Sequence, residues 1–111
     1  MSEVDVSIEY GSGNVFADLG FPDAAERQTK VRLAVVLQRI IAERKLTQTA
    51  LGRLLGIPQP KVSALVNVRL DGFSVERLME FIVALGRDVE IVVRPVARRG
   101  EIGRLTVAEA A

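Results

Sequence analysis

The sequence predicts a single, mainly α-helical domain flanked by two short β-strands. Long stretches free of Gly and Pro carry apolar residues at helical spacing, and two segments near the ends alternate with a period of two. The chain has 111 residues, 49% of them hydrophobic but only 5% aromatic, enough for one domain with an aliphatic core.

Val4, Val6, Ile8 and Tyr10 alternate with Glu3, Asp5, Ser7 and Glu9, which predicts a half-buried strand over 4–10. Gly11-Ser12-Gly13-Asn14 breaks it as a hinge. Residues 1–22 therefore read as an arm, and an acidic one, because Glu3, Asp5, Glu9 and Asp18 face no base. Asp23, with Glu26 three residues on, is a capping box for a helix running from Ala24 to about Arg44. Its expected inner stripe is Val31, Ala34, Val35, Gln38 and Ile41, widened by Leu37 and Ile40. Thr47 caps a short helix that ends at Leu55, where Gly56 can take left-handed geometry. A second short helix is expected from about Pro60 to Val66, followed by a loop over 67–72. Ser74 caps an amphipathic helix with Val75, Leu78, Met79, Ile82 and Leu85 on one face, ended by Gly86. Phe81 and Val83 widen that face, and they are expected to help cover a dimer interface. Val89, Ile91 and Val93 predict a strand over 88–94 that Pro95 closes. The core domain is thus 23–95, and 96–111 is a weakly patterned tail that becomes helical only on contact.

Composition narrows the chemistry. With no Cys and no His, the chain has no thiol nucleophile, no imidazole base and no Cys- or His-based metal site. No carboxylate pair or Gly-rich phosphate loop stands out either, so no enzyme activity and no cofactor are expected. No apolar run approaches the roughly 18–20 residues that span a bilayer, and the N-terminus lacks a basic signal, so a soluble cytoplasmic protein is expected. The net charge of +1 hides a division, for residues 23–95 hold twelve bases against eight acids. Within them, residues 44–70 contain Arg44, Lys45, Arg53, Lys61 and Arg69 and no acid, as a surface facing a polyanion needs.

That basic stretch contains Thr47 to Leu65, TQTALGRLLGIPQPKVSAL. Leu51, Leu54 and Leu55 supply an inner face for the first short helix, and Gly52 lets another backbone approach. Gly56 bends the chain, and Ile57, Val62 and Leu65 anchor the second helix. Gln59, Lys61, Ser63 and Ala64 are then left to face outward. Two short helices crossing at a tight Gly-containing turn form a helix-turn-helix, whose second helix presents its N-terminal residues to base edges in the major groove. Amide, basic and small side chains suit that role.

Thr47-Gln48, Leu51, Leu54 to Ile57, Gln59, Val62-Ser63 and Leu65 resemble the phage-repressor-like (Xre) helix-turn-helix family, which implies a five-helix-type fold. A narrower likeness spans roughly residues 13–95. Gly13 to Gly20, Gly72 to Met79 and Leu85 to Val89 are similar to HigA-type antitoxins of type II toxin–antitoxin pairs. The resemblance implies a dimeric, sequence-specific repressor of its own operon, bound to double-stranded operator DNA, that also neutralises a partner ribonuclease toxin. By the family pattern Gln48 binds phosphate, and Gln59, Lys61 and Ala64 face bases. Ser63 lies near the backbone, while Asn67 and Arg69 hold the far strand's phosphates. Pro58 stands where the family has a Ser or Thr cap. Pro60 disfavours helical geometry at Gln59, which predicts Gln59 as the N-cap and leaves Pro60 an apolar contact, such as a thymine methyl. Two alternatives remain: a stand-alone Xre-type regulator, and a protein-interaction module with an incidental basic face.

The two strands need partners. They can pair within one chain or between subunits, the latter setting two recognition helices on one duplex face with half-sites about 34 Å apart or a multiple of it. A third arrangement has the acidic arm add a strand to the toxin or cover its basic RNA site.

Overall fold

The computed structural model describes residues 23–98 and 100–110. Four helices are present among them: α1 (Asp23–Glu43), α2 (Gln48–Leu55), α3 (Gln59–Val66) and α4 (Val75–Ala84). The strand expected over 4–10 lies outside the described residues.

Local chemistry accounts for the helix ends. The Thr47 hydroxyl accepts from the Ala50 N–H at 3.1 Å, and the Ser74 hydroxyl accepts from the Arg77 N–H at 3.0 Å. Gly56 ends α2 in the left-handed region at φ 67°, with the Ile57 N–H returning to the Gly52 carbonyl at 3.1 Å. No atom lies within 4 Å of where a Gly56 Cβ would sit, so the requirement there is purely one of backbone conformation. Gly56→Ala is therefore expected to cost about 1 kcal/mol in chemical denaturation, with no change in side-chain packing.

The core lies where α1 crosses α4, with α3 closing against α1, α2 against α4, and α2 and α3 against each other. Leu33, Ala34, Leu37 and Ile40 from α1 meet Leu51, Leu55, Val62, Leu65, Leu78, Phe81 and Ile82. The inner stripe of α1 is rotated from the expected one. Leu33 joins it, whereas Val31 and Val35 are each 43% exposed and Gln38 turns outward to donate to the Val66 carbonyl. Leu54 is also exposed. Phe81 is 1% exposed and meets Phe73 edge-on at 5.8 Å, so it belongs to the core and not to an interface. The ends of α1 and α4 are tied twice. Arg44 donates to the Leu85 carbonyl at 3.0 Å, and Arg87 pairs with Glu43 at 2.6 Å.

The segment 88–94, expected as a strand, carries no helix or strand assignment among the described residues, and the segment 4–10 that was one of its expected partners lies outside them. The tail likewise shows no helix among its described residues. It returns to the body of the domain, with Val107 packed against the core and Glu109 paired with Arg39 of α1.

Candidate nucleic-acid interface

The candidate surface is built on the α2–α3 corner. Gly52 allows the two helices to close: a Cβ there would stand 3.2 Å from the Ile57 carbonyl oxygen and 3.3 Å from a Val62 methyl. Val62 and Leu65 fix the inner side of α3 at 0% and 2% exposure. With that phase set, Gln59, Pro60 and Lys61 emerge on the open side of the first turn, and Gln48 stands exposed at the start of α2. The Gln59 amide nitrogen donates to the Gln48 amide oxygen at 2.6 Å, joining the proposed base reader to the proposed phosphate contact across the turn.

The cap differs from expectation. Pro58, in extended geometry, is the N-cap of α3, and Gln59 is its first residue. The Pro58 carbonyl accepts from the N–H groups of both Lys61 and Val62, at 2.9 and 3.1 Å, and this outweighs the extended bias that Pro60 places on Gln59. Pro60 has no N–H to offer. The first turn therefore presents side chains to a ligand more than backbone amides.

The far end of α3 is arranged differently. Ala64 is half-buried and packs against the core, so it offers less surface outward than expected, and Ser63 is half-buried as well. Asn67, exposed, donates its side-chain N–H to the Ser63 carbonyl at 2.8 Å. Arg69 is exposed, and its backbone N–H returns to the Ala64 carbonyl at 2.8 Å. Between them Val68 adopts φ 58°, a left-handed conformation unusual for a β-branched residue, which turns the chain so that Arg69 follows directly on the recognition helix. A β-branched residue gives no sequence signal for that bend.

Lys61 was expected to project freely, but its ammonium donates to the Gly72 carbonyl at 3.3 Å and lies 5.1 Å from the centre of the Phe73 ring. This seat joins positions eleven apart, and no spacing rule anticipates it. Around the corner, Lys45 and Arg53 add exposed basic side chains, and no acid occurs from Arg44 to Leu70. An open face with amides at its centre and cations at its margins can hydrogen-bond base edges while meeting phosphates. Among the described residues no helix is long and apolar enough to cross a membrane.

A family model described as "Helix-turn-helix domain" matches residues 15–94. A solved structure described as an XRE family transcriptional regulator is 54% identical, with a TM-score of 0.76, over 80% of this chain and 100% of that one. No curated protein matches the chain.

Proposed function

The chain belongs to the XRE family of helix-turn-helix proteins, and from that premise we propose that it is a transcriptional regulator that binds double-stranded DNA sequence-specifically. The observation that carries this reading is the Gln48–Gln59 pair, standing open at the N-terminal end of α3 within a stretch, residues 44–70, that contains no acid. Gln48 holds one donor of Gln59 in place, which leaves the remaining amide groups of Gln59 oriented towards a base edge. Arg69, Asn67 and Gln48 flank it as phosphate contacts.

Salt titration tests this reading. Binding to a selected duplex should weaken with a log–log slope of about −0.9 per phosphate contacted, and Arg69→Gln should reduce the slope by about one contact. Gln59→Ala should cost about 1–3 kcal/mol on that duplex and relax the preference at one base pair, with little effect on random DNA. A protein that binds no duplex at low salt would return the basic face to an incidental one and favour a protein-interaction module.

The protein acts as a homodimeric repressor of its own operon, paired with a ribonuclease toxin that it neutralises. The likeness of residues 13–20, 72–79 and 85–89 to HigA-type antitoxins supports this finer reading. A stand-alone regulator shares the same DNA-binding face. A small basic partner encoded beside the gene, whose toxicity the protein suppresses, supports the paired role, whereas a gene without such a neighbour supports the stand-alone one. Deleting residues 1–12 tests whether the acidic arm makes the toxin contact: neutralisation that survives the deletion removes the arm from that role.

A further inference from the structure

We propose that Lys61 is a positioning residue, whose ammonium clasps the 70–73 turn and so aims Arg69 at a phosphate, and that it reads no base. The inference rests on the DNA-binding reading above and reassigns one of its residues. Lys61 belongs to the first turn of α3, yet its ammonium hydrogen-bonds the Gly72 carbonyl at 3.3 Å. On its other side it lies 5.1 Å from the Phe73 ring centre. That ring is a firm seat, because Phe73 is buried and held edge-on by Phe81. The turn is closed by the Phe73 N–H donating to the Leu70 carbonyl at 3.0 Å. Gly72 gives the ammonium its place: a Cβ there would stand 2.8 Å from the Lys61 nitrogen.

To reach a base edge, Lys61 must give up both the carbonyl and the ring. By staying, it keeps two of its three N–H donors for solvent or phosphate. It also ties the start of α3 to the loop that leaves its end. Arg69 lies on that loop, between the left-handed Val68 and the buried Leu70, so the clasp and the bend together fix where its guanidinium can point. The contribution of Lys61 is therefore blind to base sequence and sits in the loop's geometry and in the electrostatic part of binding.

The experiment compares the full-length wild type with K61M and K61R. It uses consensus duplexes selected by each protein from randomised double-stranded DNA, one random duplex, and hydrogen exchange at the Phe73 amide. The expected result is that K61M selects the same consensus and loses affinity for consensus and random duplex by the same factor, about tenfold. Its Phe73 amide should exchange several-fold faster, and K61R, which keeps charge and reach, should restore both. A change in preference at a single base pair for K61M would overturn the proposal, as would unaltered Phe73 exchange. Wild-type protein that selects no duplex would overturn the DNA-binding reading itself. The exchange arm needs no DNA, so the two failures are distinguishable.

Discussion

Replacing Phe81 with alanine is expected to lower the stability of the domain by about 3–5 kcal/mol. That is a large part of the margin of about 5–15 kcal/mol that a domain of this class possesses. Phe81 is among the largest fully buried side chains, at 1% exposure, in a core otherwise built almost wholly from aliphatic groups. Its ring touches Phe73 edge-on, and the Arg77 guanidinium lies 4.8 Å from its centre. Truncation therefore removes buried area, an aromatic pair and a cation contact together, and it leaves a cavity where α1 and α4 cross. Urea denaturation measures the loss. A value below about 1 kcal/mol would mean that the neighbours collapse into the space and that Phe81 is not the centre of the packing. The same substitution has a second consequence, because Phe73 forms the seat of Lys61. A folded Phe81→Ala protein should show faster exchange at the Phe73 amide even under conditions where the rest of the domain stays protected.

What was legible in the sequence is what short-range chemistry decides. Thr47 and Ser74 cap their helices through a hydroxyl reaching three residues ahead, and Gly56 ends α2 because its backbone can turn left-handed. The inner residues of α3 follow from spacing alone. The phase of α1 was less legible, since Val31 and Leu33 are both apolar and lie on different sides of the helix. Only the crossing with α4 settles that Leu33 is buried and that Val31 and Val35 stay half in solvent. At the candidate site, Gln59 and Gln48 were identifiable by type and position, but their mutual hydrogen bond was not. Ala64 illustrates a different difficulty: a small residue on the outer edge of a helix can still lean against the core. The cap at Pro58 reversed a local expectation. The bias that Pro60 places on its predecessor is a preference of the isolated dipeptide, and two N–H donors converging on the Pro58 carbonyl outweigh it.

On the homodimeric reading proposed above, replacing Ile91 and Val93 together with aspartate is expected to convert the dimer into a monomer and to weaken operator binding by about 10²–10⁴-fold. The argument begins with what the fold leaves uncovered. Ile91 and Val93 are 68% and 81% exposed. Beside them runs a shallow apolar groove of about 390 Å³, lined by Glu76, Met79, Glu80 and Val83 of α4 together with Val89 and Ile91. Exposed apolar side chains next to an apolar groove are a liability for a monomer and a natural site for self-association. Packing of this patch against its copy in a second chain would cover Ile91, Val93 and the groove beside them. The same two-fold axis would present two copies of α3, and binding the second half-site would then be intramolecular. Loss of the dimer therefore removes far more affinity than loss of any single contact. The substitutions are at exposed positions, so the thermal midpoint of the monomer should shift little. Sedimentation equilibrium together with duplex titration decides the matter. A wild type that is monomeric at binding concentrations would overturn the homodimeric reading, and a variant that remains dimeric and binds unchanged would place the interface away from Ile91 and Val93.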